Sequence, residues 1–307
     1  PMATVLLTGG RGASGRWIAD RLATDHDVVV VDYDHPGLDR EPAPGLSFRA
    51  ADLADRGEAL DVVAAVDPDV VVHWAAIPVA GTHPDGRVFE TNVLAAHNVL
   101  TAAGRADAPI VQASSDGAYG FFFAEPTPMP DEVPVTESHP LRPEDPYGLS
   151  KVTAEQTAAA VARRHDVSAV SLRPSWIQYP GAYACRAPAY TDDLGAGAGN
   201  FWSYVDVRDV AALVARAVDA LRTDRPPIPS GTHEAVNCVA ADNALGRPLL
   251  ELLRAVYDEV PDTTAVSEGD DRSAYAIERA ADRFGWEPQH SWRTAAAATV
   301  EEPTLFE

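Results

Sequence analysis

TGGRGASG, residues 8–15, joins the apolar run ATVLLTG to a stretch of helical composition that continues to about Thr24. Glycines at 9, 12 and 15 let the chain turn tightly, let its amides approach a pyrophosphate and let the helix pack against the strand. The helix N-terminus adds partial positive charge at the same place. A glycine-rich turn alone is weak evidence, so its surroundings decide. The next β-rich run, DVVVVD, ends at Asp32, some 17 residues past Gly15, where a carboxylate is placed to accept hydrogen bonds from an adenosine ribose.

Outward from this turn, strand-like and helix-like segments alternate. LSFRAAD precedes a helix ending near Val66, DVVVHWAA precedes one from about Pro84 to Arg105, and APIVQASS precedes one from Tyr147 to about His165, followed by SAVSLR. Strict alternation implies an α/β fold of Rossmann type, a doubly wound parallel sheet with helices on both faces. The continuous apolar runs Val28–Val31 and Val70–Val72 fit strands buried on both sides. After Arg173 the regularity weakens, with proline and glycine breaking up 174–200, a helix over Val207–Leu221 and a polar, proline-rich connector to Gly231. The organisation expected is a dinucleotide-binding domain over 1–175, to which 201–222 returns. Segments 176–200 and 223–307 form a smaller C-terminal substrate lobe containing AVNCVAA as a strand and PLLELLRAVY as a helix.

The chain of 307 residues has 46 acidic and 24 basic residues, a formal charge of −22. Such a surface disfavours nucleic acid and anionic membranes as partners. Lys151 is the single lysine, the other basic residues being arginine. Acidic surplus with lysine nearly eliminated resembles the proteins of salt-in halophilic archaea, whose carboxylate-rich surfaces are screened by high ionic strength. Cys185 and Cys238 are too few for a disulfide framework and lack metal-ligand spacing, so a reducing, cytoplasmic setting without a metal is expected. The start of the chain reads directly into a strand, and no run reaches the roughly 18 apolar residues of a membrane span.

The lone lysine sits in YGLSK, residues 147–151, four residues after Tyr147. On a helix the two side chains share a face. An ammonium beside a phenol favours the phenolate, so the pair reads as a proton-transfer device, although any helix can carry Tyr and Lys at this spacing. Asp52, after the third strand, suits either an adenine contact or the N-cap of the following helix.

With these stretches, HWAA at 73–76, Asn92 in ETNVLAAHNVL, SSDGAYG at 114–120, LRP at 172–174 and YVDVRDVA at 204–211, the chain resembles the extended short-chain dehydrogenase/reductases, the NAD-dependent epimerase/dehydratase type, over nearly its whole length. The resemblance implies Tyr147 as acid/base, Lys151 as the residue that holds the nicotinamide ribose and lowers the tyrosine pKa, and Ser115 as the hydrogen-bond partner of the reacting oxygen. At the cofactor it implies Gly9, Arg11, Gly12, Ala13, Ser14, Gly15, Asp32, Asp52, Leu53, Ala75, Asn92 and Pro174, besides Tyr147 and Lys151. Asp32 favours NAD by repelling the extra phosphate of NADP, while Arg11 offsets that repulsion and admits NADP. Homodimers are common among such proteins.

Dehydratases of the family carry an acid pair after the serine or threonine, whereas Asp116 is followed here by Gly117. Only about 30 residues separate Pro174 from Val205, against the longer nucleotide-gripping segment of the epimerases, so the layout is nearer that of sugar and uronate dehydrogenases. Asp116 would repel a uronate and bind hydroxyls of a neutral aldose. Arg186 is either a substrate contact or a surface ion pair, and Trp176 and Tyr179 either wall the sugar or pack the core. The reading expected is oxidation of a free sugar, at the C1 hydroxyl to a lactone. The alternatives are a nucleotide-sugar 4-epimerase with tightly bound NAD and a non-catalytic nucleotide sensor.

Overall fold

The computed structural model describes residues 2–37, 39–78, 81 and 83–306. In chain order the elements are β1 (Thr4–Thr8), α1 (Gly15–Ala23), β2 (Asp27–Asp32), β3 (Leu46–Ala50), α2 (Arg56–Val66), β4 (Val70–His73), α3 (Asp85–Arg105), β5 (Ile110–Ala113), β6 (Glu132–Val133) and α4 (Pro146–His165). There follow β7 (Ala169–Pro174), β8 (Ile177–Gln178), α5 (Pro188–Thr191), β9 (Val205–Asp206), α6 (Val207–Leu221), β10 (His233–Cys238), α7 (Leu249–Tyr257), β11 (Thr263–Thr264), α8 (Glu278–Phe284) and α9 (Trp292–Ala295).

Seven strands lie in the order β10-β7-β5-β4-β1-β2-β3, every pair parallel. The valine runs explain how both faces are closed. Val5, Leu7, Val30, Val70 and Val72 join the core formed with α1 and α6. Leu6, Val31 and Val71 join the opposite core formed with α2, α3 and α4. Side chains on a strand alternate between faces, so continuous apolar runs serve both layers at once. The order of connection reverses between β1 and β4: strands are added outward from β1 through β2 to β3, then from β4 through β5 and β7 to β10 on the other side, and β1 and β4 are parallel hydrogen-bonded neighbours with Thr8 beside His73. In such sheets a crevice opens at that point, beyond the C-terminal ends of the strands.

A third apolar cluster gathers Phe121, Val133, Val135, Phe201, Trp202, Leu249, Leu253 and Tyr275. However, residues 233–238, expected within the lobe, form β10 and pair with β7 as an edge of the main sheet. The chain also returns further on: Ala280, Phe284, Trp286 and Leu305 pack into the α1/α6 core, and Phe306 stacks on Phe48 of β3 at 4.9 Å between ring centres. The apolar residues of the tail fill the sheet face that α1 and α6 leave uncovered. No helix among the described residues is long and apolar enough to cross a membrane.

Candidate active site

The cleft, about 540 Å³, runs along the C-terminal ends of β1, β2, β4, β5 and β7. Gly9, Gly12, Ala13, Ser14 and Gly15 line it after β1, Asp32 at the end of β2, Ala75 after β4, Ser115 and Asp116 after β5, and Pro174 at the end of β7. Tyr147 and Lys151 reach it from the first turns of α4, and Trp176 closes the far end.

Two glycines are required by close approach. A Cβ on Gly9, whose φ is +69°, would stand 2.7 Å from backbone atoms of Ala75, and one on Gly15 would stand 2.0 Å from the Gly9 carbonyl oxygen. Thr8 fixes the crevice from below, its Oγ1 accepting from the Trp74 and Ala75 amides at 3.0 and 3.1 Å and lying 2.9 Å from His73 Nδ1. Ser14 makes no side-chain cap to α1, because its hydroxyl accepts from the Trp74 indole at 3.0 Å. No acidic residue stands in that first turn, so the helix terminus presents its positive end to the cleft uncompensated. Asp32 accepts from the Tyr33 amide at 2.9 Å and the Arg11 amide at 3.3 Å, which holds a carboxylate at the rim facing the glycine turn. A glycine turn too tight for any Cβ, a free helix N-terminus and an anchored carboxylate, in one cleft that continues to a tyrosine and a lysine, fit a nicotinamide dinucleotide laid along it.

Asp145 caps α4, its Oδ1 accepting from Gly148 N at 2.8 Å, with Pro146 in the first helical position. This places Tyr147 and Lys151 one turn apart. Ser115 begins the 3-10 turn Asp116–Tyr119 and accepts from Gly117 N at 3.0 Å. The phenol of Tyr147 is pushed up to about 12 by burial; its hydrogen bond with Ser115 pulls it down, and the charges of Asp116 and Asp145 push it up. The expected lowering by Lys151 is therefore not found. Lys151 Nζ donates to the Ala113 carbonyl at 3.0 Å and lies 5.4 Å from the centre of the tyrosine ring, while burial lowers its own pKa to about 8, against a smaller raising effect of Glu155. Burial disfavours both charged forms, the ammonium of Lys151 and the phenolate of Tyr147.

Asp116 is buried, and burial raises its carboxyl to about 6 despite hydrogen bonds from Ser175 and Ser115. Ser175 Oγ donates to Oδ2 at 2.8 Å and Ser115 Oγ lies 3.2 Å from Oδ1. Beneath this group is a buried ion pair. Arg173 donates from Nε and Nη2 to Glu155 at 2.8 and 2.7 Å, and Ser114 donates to the same carboxylate at 2.5 Å. Glu155 is one turn after Lys151 on α4; burial alone would raise its pKa, but Arg173 outweighs it and the net shift is downward.

Arg11, Asp52, Leu53, Asn92 and Arg186 do not line the cleft. The Arg11 guanidinium donates to the Asp34 carbonyl at 2.6 Å. Asp52 accepts from Ala54 N, while the cap of α2 is Asp55, which accepts from Glu58 N at 3.0 Å; the capping alternative for Asp52 thus falls to its neighbour three residues on. Leu53 is core. Asn92 bonds both backbone groups of Ile77 and the Ser150 hydroxyl, which braces the chain after β4 against α4. Arg186, read as a candidate substrate contact or surface ion pair, donates to the Ala244 carbonyl, and its guanidinium lies 3.8 Å from the centre of the Trp292 ring. Ser175, Phe122 and Phe123 line the cleft as well. The aromatic run was visible in sequence, but nothing in it distinguished a wall from a core. No group of three or more histidine, cysteine or carboxylate residues among those described is arranged to hold a metal ion.

The model of the NAD dependent epimerase/dehydratase family matches residues 5–229. The chain is similar to the L-arabinose 1-dehydrogenase (NAD(P)(+)) of Haloferax volcanii, 29% identical over 86% of this chain and 98% of the relative. It is also similar to the UDP-glucose 4-epimerase of Streptococcus mutans, 27% identical over 93% of this chain and 92% of the relative. Another curated relative, 33% identical, is matched over 55% of its own length. Among solved structures, the Bordetella bronchiseptica enzyme WbmG in complex with NAD superposes with a TM-score of 0.65 at 22% identity, covering 96% of this chain and 92% of that one.

Proposed function

Since the chain belongs to the NAD-dependent epimerase/dehydratase family, within the extended short-chain dehydrogenase/reductases, we propose that it oxidises an uncharged sugar at a hydroxyl-bearing carbon with NAD. We place the reaction at the anomeric hydroxyl, giving a lactone. One observation carries the choice of substrate: Lys151 is the single cationic side chain lining the cleft among the described residues, and it is committed to Tyr147 and Ala113. At the Trp176 end, away from the N-terminus of α1, a substrate's diphosphate or a uronate would meet no cationic side chain, and Asp116 would repel either. The similarity to an L-arabinose 1-dehydrogenase over 86% of this chain supports the same reading.

Bound NAD supplies the hydride-accepting carbon. The protein's part is to hold and deprotonate the alcohol. Ser115 and Tyr147 converge on one point of the cleft, so a substrate hydroxyl there is held by the serine and passes its proton to Tyr147 once that phenol is ionised, the form that the cation of Lys151 favours and burial opposes. Lys151 holds the ribose side of that point. Asp116, anchored by Ser175, accepts from a neighbouring sugar hydroxyl. Phe122, Phe123 and Trp176 shield the reacting carbon from water.

A nucleotide-sugar 4-epimerase uses the same three residues, and the streptococcal relative keeps that reading in view. The deciding experiment incubates the purified protein and NAD with a panel of neutral aldoses, uronates and UDP-sugars. Net NADH formed with an aldose is expected. Interconversion of UDP-sugars without net NADH would overturn the proposal.

A further inference from the structure

A second pocket, about 340 Å³, opens from the far end of the cleft and shares Phe122, Phe123 and Trp176 with it. Its remaining wall comes from Tyr190, the segment Ala124, Glu125, Pro126 and Thr127, and the 3-10 turn Gly195–Asn200. Trp176 and Tyr190 pack with ring centres 4.6 Å apart, and Phe122 and Phe123 with theirs 4.8 Å apart. Gly199 brings the turn against this aromatic wall, since a Cβ there would stand 2.9 Å from the Phe122 carbonyl oxygen. Glu125 and Asn200 offer acceptors, while the Thr127 hydroxyl donates to the Ala124 carbonyl at 3.4 Å. Glu125 is exposed beside the pocket, and Asn200 uses its side-chain NH2 on the Ser203 carbonyl at 2.9 Å, while its Oδ1 accepts no hydrogen bond among the described residues. Neither lysine, arginine nor histidine lines the pocket.

We propose that this pocket is a subsite for a second, uncharged sugar unit, so that the substrate is a glycosylated sugar whose reducing-end residue stands at Ser115 and Tyr147. The inference rests on the proposed sugar oxidation and extends it. The dinucleotide accounts for the cleft from Asp32 to Lys151, which leaves the reacting sugar between Phe122, Phe123 and Trp176. Those three residues are also the doorway to the second pocket, so any extension of that sugar enters it. Flat aromatic faces suit the C–H face of a pyranose, and a carboxylate and an amide oxygen suit its hydroxyls. A phosphate or nucleoside diphosphate would face Glu125 with no cation to receive it.

Binding is measured without turnover. The protein with NAD is titrated with 1,5-anhydroglucitol and with the 1,5-anhydro derivatives of maltose, cellobiose and lactose, which lack the reacting hydroxyl, following tryptophan fluorescence. At least one disaccharide analogue should bind tenfold or more tightly than the monosaccharide analogue. Ala196→Trp, which fills the pocket from its exposed turn, should erase that difference while kcat/KM for a monosaccharide stays within twofold. Equal affinities in the wild type, or a gain that survives Ala196→Trp, would overturn the subsite. UDP, added as an anionic probe, should not compete; if it binds more tightly than every disaccharide analogue, the pocket is a nucleotide site. Analogue binding with the expected gain but no oxidation of any aldose would sink the proposed reaction and leave the subsite standing.

Discussion

At the Asp32 end of the cleft the wall is backbone, and at the Trp176 end it is side chain. The first is made of the glycine turn, in which Gly9 is pressed against Ala75 and Gly15 against Gly9 at distances that admit no Cβ, on strands whose register the whole sheet enforces. The second is made of Phe122, Phe123 and Trp176 from loops and Tyr190 from the short helix α5. A backbone wall recognises what every dinucleotide has in common, its phosphates and ribose. A side-chain wall can be changed one residue at a time, and it is there that substrate choice is built. The two ends meet at Tyr147 and Lys151, which gives the comparison its most severe test.

Tyr147→Phe should lower kcat/KM by roughly 100- to 10,000-fold, the range expected for losing a positioned acid/base, while leaving NAD affinity and the melting temperature near wild type. Lys151→Arg should fold, since arginine keeps the charge and favours helix, yet lose most activity, because a planar guanidinium cannot take the Lys151 position under the Ala113 carbonyl. Stopped-assay kinetics and NAD titration of both variants provide the check. Near-normal turnover by Lys151→Arg would mean that the junction is not where the two ends cooperate.

The next effect is on stability. Arg173→Ala leaves Glu155 and its charge buried without their partner, at a cost of about 3–5 kcal/mol, read by urea denaturation. Arg173 also donates to the Tyr119 hydroxyl at 3.0 Å, and Tyr119 donates to Asn237 of β10 at 2.7 Å. The loss should therefore loosen the lobe and the substrate end together, raising the KM for sugar more than that for NAD. Equal rises in both would show that the ion pair supports the cleft as one unit and that its two ends are not separable.

Legibility in sequence follows the same division. The glycine turn, Asp32 and the Tyr147–Lys151 pair could be read because each is a local pattern, a spacing of a few residues on one element. Asp116–Ser175 and Glu155–Arg173 could not, because each joins residues 59 and 18 positions apart that only the sheet brings together. The partner of Arg186 escaped for a related reason, since its guanidinium reaches the Ala244 carbonyl 58 positions away. The placement of β10 in the main sheet escaped too, because an apolar strand does not state its neighbour.

Asp116 tests whether the substrate end is tuned by charge. Its carboxyl, raised by burial to about 6, is ionised above that pH and neutral below it. Affinity for a neutral sugar should therefore fall as pH drops through about 6, and Asp116→Asn should remove this dependence and raise KM about tenfold throughout. The stability sign is opposite to that of a salt-bridged carboxylate. Between the unfolded value of 3.8 and about 6 the folded protein binds the extra proton, so stability declines as pH rises across that window. Asp116→Asn should flatten the slope. A pH-independent KM in the wild type would remove Asp116 from substrate recognition.

The smallest expected effect lies at the backbone end, and it concerns the one side chain there that discriminates. Asp32 is held at the rim by the amides of Arg11 and Tyr33, so its carboxylate keeps its place facing the ribose and its charge opposes a 2′-phosphate. Arg11, the residue that would favour NADP, is tied to the Asp34 carbonyl and must leave that bond to help. Asp32→Ala should raise relative use of NADP by about tenfold, mostly through weaker NAD binding, because the lost contacts serve the ribose hydroxyls and the freed space is the phosphate's. The ratio of kcat/KM for the two cofactors is the measurement, with Arg11→Ala as its partner. If Arg11→Ala abolishes NADP use in the Asp32→Ala background, then even this end owes its choice to side chains, with the glycine turn holding the pyrophosphate alike for both cofactors. A ratio unmoved by either change would place cofactor selection outside Asp32 and Arg11 altogether.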